Sequence, residues 1–170
     1  MNEVLLETEV NGTPLMLDKT IKITDWAKMC KALDFAEKHW NVKYSGRLTQ
    51  SYGMCKSFRD GRSVISCAKG NSKEKTLSII LHEIAHSILH PYTCELPHRS
   101  KEVEAEAVAY LVGKKLGIDT IGSSAWYIRY HIGKRDRFTV TQRILNTVNE
   151  IAKVFSEAGV TGDWIMEGVF

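Results

Sequence analysis

The stretch TLSIILHEIAHSILHP, residues 76–91, places His82, Glu83 and His86 in the order H-E-x-x-H and then adds His90 and Pro91. Leu77, Ile80, Leu81, Ile84, Ala85 and Ile88 recur at the three- and four-residue spacing of one helical face, so the pattern predicts a helix over 73–90 with that stripe on the core. The histidines centre on the opposite side. His82 and His86 therefore project into the same space about one turn apart, where one Zn²⁺ accepts two ring nitrogens at ~2.0–2.1 Å each. Glu83 is offset by one residue from that row, which sets its carboxylate beside a metal instead of on it, in the place of a general base for a metal-activated water. His90 precedes Pro91, where a helix must stop, and reads as a helix C-terminal histidine favoured by the dipole more readily than as a ligand.

A catalytic zinc takes three protein ligands and leaves one position open, so a further ligand must come from outside the motif. A metzincin arrangement, H-E-x-x-H-x-x-G-x-x-H, is excluded because Leu89 stands at its glycine and Tyr92 at its third histidine. The next candidate is SKEVEAEAVAYLVGKKLG, residues 100–117, which reads as a helix over 101–116. On its wheel Glu102 and Glu106 share a stripe with Ala109 and Gly113, while Glu104 points about 160° away from Glu102. Small residues on that stripe would let this helix approach the His82/His86 helix closely. Glu102 is the expected third ligand, Glu106 the acceptor for a ligand histidine's other ring N–H, and Glu104 is expected in solvent.

Around these two helices the chain reads as one α+β domain, residues 1–170. Residues 1–17 look like a hairpin about Asn11-Gly12, and 25–40 like a helix with Trp26, Met29, Cys30, Leu33, Ala36 and Trp40 on one face. The segment 25–68 then continues into β-rich pieces broken at Gly46 and Asp60-Gly61, expected as a small antiparallel meander. The half from 73 to 158 is helical, with further helices expected at 124–132 and 140–158, the last stopped by Gly159. At 44% hydrophobic and 25% charged, the 170 residues match an ordinary globular composition with enough apolar material for a core. No apolar run reaches membrane-span length and the N-terminus is acidic, so a cytoplasmic protein is expected. Cys30, Cys55, Cys67 and Cys94 form no C-x-x-C and read as reduced thiols. A net charge of +3 does not by itself point to nucleic acid, and Lys114, Lys115, Arg129, Lys134, Arg135 and Arg137 read more readily as a solvated basic surface.

LHEIAHSILH followed by KEVEAEAVAYLVGKKLGI resembles the ImmA/IrrE family of zinc metallopeptidases, HExxH followed by a helix of the form E-x-x-A-[DN]-x-x-A. It is closer still to the peptidase domain of ArdC-type antirestriction proteins and their phage-borne relatives. The resemblance covers roughly residues 76–132, a third of the chain, and extends weakly to SSAWYIRYHIG, similar to a GYIASW segment in those relatives. It implies a zincin-like fold with gluzincin-like ligation: His82, His86 and Glu102 on Zn²⁺, Glu83 as base, and Glu106 where many relatives carry Asp or Asn. It also implies a protein substrate, such as a regulator or repressor, in a phage or mobile-element setting. The substrate would lie along a sheet edge assigned to RSVISCA, residues 62–68. The separate single-stranded-DNA-binding domain of ArdC-type proteins has no counterpart in the resemblance, which leaves DNA-directed activity without support. Tyr127, Tyr130 and His131 are the candidates for stabilising the oxyanion. The rival reading is a zinc-stabilised antirestriction or partner-binding module that acts without hydrolysis.

Overall fold

The computed structural model describes residues 21–46, 48, 51–120 and 137–162, with side chains from 141 onward in the last segment. The hairpin expected at 1–17, the helix expected at 124–132, and Tyr127, Arg129, Tyr130, His131, Lys134 and Arg135 lie outside the described residues, as does the side chain of Arg137. The architecture is α+β: β1 (Lys22–Ile23), α1 (Trp26–His39), β2 (Lys43–Ser45), β3 (Gly53–Ser57), β4 (Ser63–Ala68), α2 (Lys73–Leu89), α3 (His98–Lys115), β5 (Ile118–Asp119) and α4 (Arg137–Glu157). Among the described residues no helix is long and apolar enough to cross a membrane.

Helix α2 is the middle of the molecule. The expected apolar stripe is in place, with Leu77, Ile80, Leu81, Ile84 and Ala85 at zero exposure, yet His82 and Glu83 on the other side are also buried. A wheel shows polarity, not neighbours: α1 packs on one flank of α2, β3 and β4 on another, and α3 along a third. Asp25 starts α1 by accepting a hydrogen bond from the Lys28 amide at 2.9 Å, and Met29, Ala32, Leu33 and Ala36 are its buried face. The last helix, α4, brings Ile144, Val148, Ile151 and Phe155 into the same core, with the Phe155 ring 5.3 Å from Phe35 and 5.8 Å from Trp40.

The sheet departs from the expected antiparallel meander. Its order is β2-β4-β3, with β3 antiparallel to β4 but β2 parallel to it, in register Lys43 to Ser66 and Ser45 to Ala68. The β3–β4 hairpin turns at Asp60-Gly61 as expected, where Gly61 takes φ +84° and its amide donates to the Phe58 carbonyl. RSVISCA, expected at the edge, is the central strand, and β3 is an edge. A three-residue strand such as β2 carries no signal about which neighbour it will join.

Helix α3 begins a turn earlier than its apolar pattern, because Pro97 serves as its N-cap and its carbonyl accepts from the Ser100 and Lys101 amides. Every residue from Glu102 to Ala109 is buried, since α2 lies on one side of α3 and α4 on the other. Gly113 makes room for β5: a Cβ there would sit 3.0 Å from Ile118 Cγ1, while Leu81 Cδ1 of α2 would be at an ordinary 3.6 Å. After α3, Gly117 takes φ +95° and its carbonyl accepts from the Thr24 and Asp25 amides, which ties the short β1–β5 ladder to the start of α1.

Candidate metal centre

Helical spacing puts His82 above His86 on α2, and the close packing of α3 brings Glu102 to them. His82 Nε2 and His86 Nε2 lie 3.0 Å apart. Glu102 Oε2 is 3.2 Å from the first and Oε1 is 3.0 Å from the second. Donors at ~2.0–2.1 Å around a tetrahedral ion stand about 3.3 Å apart, and each histidine nitrogen has the other nitrogen and one of the two Glu102 oxygens at close to that spacing. Among the described residues His82, His86 and Glu102 are the one group of three whose donor atoms converge within 4.8 Å, and together they can hold a metal ion.

The electrostatics of the triangle also favour a cation. Burial by itself would lower the His82 pKa, but hydrogen bonds to Glu102 and Glu106 outweigh it and raise the imidazole to about 10. Burial would likewise raise the Glu102 carboxyl, yet His82 and His86 hold it well below the usual carboxylate range. A proton on His82 and a metal ion compete for the same lone pair, so metal binding here releases protons.

The outer contacts match the expectation at Glu106 and overturn it at Glu104. Glu106 Oε2 lies 3.1 Å from His82 Nδ1 and sets that ring so that Nε2 faces Glu102. Glu104, expected in solvent, is 2% exposed and lies 2.9 Å from His90 Nε2 and 3.3 Å from Arg143 Nη2. Pointing away from Glu102 does not mean pointing at water, because α4 covers that side of α3. His90 is not among the converging donors, as expected, but it is no dipole-favoured cation either. Burial pushes its pKa down to about 4, so the ring is neutral, and its Nδ1 sits 2.9 Å from His86 Nδ1.

Glu83 is 1% exposed and lies against β3, where its carboxylate fills the space over Gly53. With His86, His90 and Glu102 it lines a cleft of about 370 Å³ whose far wall is Met54, Cys55 and Ser57 of β3. Burial, followed by the negative charge of Glu83, pushes the Cys55 thiol up to about 12. Two further residues of the cleft, His98 and Lys101, carry no sequence motif that marks them. His98 Nε2 is 3.8 Å from Glu102 Oε1, one turn before it, and was hidden because the helix was expected to start at 101. Arg143 gave no local signal, being more than fifty residues from the motif it reaches.

The fold and the triad together define a two-helix, two-histidine, one-carboxylate metal-site geometry. A region of 60 residues, 34% of this chain, is 42% identical to the uncharacterized protein pXO2-81 of Bacillus anthracis, and it makes up 10% of that protein's length. The chain thus spans only a small part of that relative. No family model and no solved structure matches.

Proposed function

We propose that the protein is a zinc-dependent metallopeptidase that hydrolyses a peptide bond in a protein substrate. The observation that carries this reading is a buried acid, Glu83, that shares a cleft with His86 and Glu102 of the converging group but is not one of its three donors. A purely structural zinc closes its fourth position and needs no adjacent carboxylate. Two imidazoles and one carboxylate suit Zn²⁺, which when bound polarises a carbonyl and lowers the pKa of a coordinated water toward ~7.

The residues of the chain then divide the work. With an ion held there, His82 and His86 would present unprotonated Nε2 atoms to it, and Glu106 would hold the proton on His82 Nδ1. Glu83 accepts a proton during attack and returns it to the leaving amine. Met54, Cys55 and Ser57 of β3 wall the cleft on one side. Among the described residues no strand pairs with the outer edge of β3, so an extended substrate adds there, and not along β4. Resemblance to the ImmA/IrrE and ArdC-type peptidases supports a regulator or repressor as substrate and a cytoplasmic setting.

The test is a peptide library incubated with zinc-loaded protein, with new N-termini read by mass spectrometry. Wild type should generate new termini, and Glu83→Gln should generate none while keeping one zinc per chain. Equal cleavage by Glu83→Gln, or none by the loaded wild type, would refute the reading. A variant with Glu83→Gln that retains every cellular effect of the wild type would instead favour the antirestriction or partner-binding module.

A further inference from the structure

The two histidines of the triangle are supported from behind in different ways. His82 meets its carboxylate directly, Nδ1 to Glu106 Oε2 at 3.1 Å. His86 Nδ1 instead meets another imidazole, His90 Nδ1, at 2.9 Å, and His90 Nε2 lies 2.9 Å from Glu104 Oε2. Glu104 is in turn 3.3 Å from Arg143 Nη2 on α4, and the same guanidinium nitrogen donates to the Leu89 carbonyl at 3.1 Å, beside His90.

We infer that Glu104 is a positioning residue for the metal centre, acting on His86 through His90, with Arg143 anchoring the chain to α4. The inference rests on the metal-site reading of His82, His86 and Glu102.

Hydrogen-bond bookkeeping allows one assignment. If His86 Nε2 offers its lone pair to the centre, its Nδ1 carries the proton and donates to His90 Nδ1. His90 Nδ1 then accepts, His90 Nε2 carries the proton, and that proton goes to the Glu104 carboxylate. Every group in the chain has a partner of the right sense. The chain thus fixes the orientation of the His86 ring through His90, as a carboxylate behind a ligating histidine ordinarily does directly. The side chains of both His90 and Glu104 are only 3% exposed, so these contacts are made within the protein. All three acids of the E-x-E-x-E run on α3 thus serve one centre, Glu102 as donor, Glu106 behind His82, and Glu104 behind His86 at one remove.

The competing explanation is that the network only fixes the end of α2. Zn²⁺ affinity, measured by competition with a chromophoric chelator, and the visible spectrum of the Co²⁺-loaded protein separate the two. Glu104→Gln should bind Zn²⁺ about 10–100-fold more weakly, the range for partners behind a metal ligand, with a shifted Co²⁺ band and an unchanged far-UV spectrum of the metal-free protein. His90→Leu should lose a similar amount, and the double variant no more than the worse single one, because both break one chain. His90→Gln, which keeps an acceptor and a donor, should bind more tightly than His90→Leu. Arg143→Gln, at a partly exposed position, should show a smaller loss and keeps the test open if Glu104→Gln does not fold.

Affinity and Co²⁺ spectrum unchanged in Glu104→Gln, or in Arg143→Gln where Glu104→Gln does not fold, would overturn the inference, as would losses that add in the double variant. If instead wild type binds no zinc, or Glu102→Ala binds as tightly as wild type, the metal centre itself is wrong and the inference falls with it.

Discussion

Gly53, the first residue of β3, packs directly on the site helix, and Gly53→Ala probes that contact. A Cβ built there meets Ile79 Cγ2 at 2.6 Å, Glu83 Oε1 at 2.7 Å and Glu83 Cγ at 3.0 Å. Ordinary carbon contacts lie at about 3.5–4.0 Å, so something must shift. The backbone is not the obstacle, because Gly53 is not among the positive-φ glycines, and alanine would gain about 0.4–1 kcal/mol by restricting the unfolded chain. Overpacking opposes this by about 1–3 kcal/mol: Ile79, at 4% exposure, is held in the core, and Glu83 can yield only by shifting toward the cleft. The net expectation is a loss of about 1–2 kcal/mol. In a chain of this size that lowers Tm by about 2–8 °C. In urea the midpoint should fall with the slope unchanged. None of the three converging donors is touched by the new methyl, so on the proposed metallopeptidase reading zinc stoichiometry should stay at one per chain while turnover drops with the displaced Glu83. A Gly53→Ala protein as stable as wild type would refute the packing of β3 on Glu83.

Glu102→Ala should lose stoichiometric zinc in equilibrium dialysis. Zinc at a hundredfold excess over its Kd should stabilise wild type by about 2.7 kcal/mol and leave that variant unmoved, and equal stabilisation of both would contradict Glu102 as a ligand. In the metal-free protein, a thiol reagent at about pH 8 should label Cys30 and Cys94 ahead of Cys55 and Cys67. Burial and Glu83 push the latter two up to about 12, so they stay protonated there, and Glu83→Gln should speed labelling of Cys55. Equal rates at all four would contradict their placement. Gly117→Ala forces a side chain onto a φ of +95° and a Cβ to 2.4 Å from the Asp25 carbonyl oxygen. It should cost more than about 2 kcal/mol in urea denaturation, and a loss near zero would refute the β1–β5 anchoring.

What was legible in the sequence was whatever a single helix encodes by its own period. H-E-x-x-H specifies two rings on one side of α2, and the stripe of Glu102, Glu106 and Gly113 specifies the side of α3 that meets them. Glu104 was misplaced because a wheel gives direction about an axis but not what stands in that direction. Here it is the end of α2 and Arg143 of α4. The strands were found but not their order, since β2 is three residues long and its parallel pairing to β4 depends on how the chain around it travels. His98 was lost to a boundary: Pro97 starts α3 one turn before the apolar pattern does.

Three buried carboxylates at alternate positions of one helix also restrict how the molecule can assemble. Apolar surfaces tolerate sliding, and a helix coated only with alanine and valine would dock on α2 in several nearly equivalent ways. Sliding α3 by a single turn would strand Glu102, Glu104 and Glu106 in the dry interior away from His82, His86, His90 and Arg143 at once, and a lone buried charge costs several kcal/mol. The acids therefore act as a key for alignment: they penalise every wrong docking far more than they reward the right one.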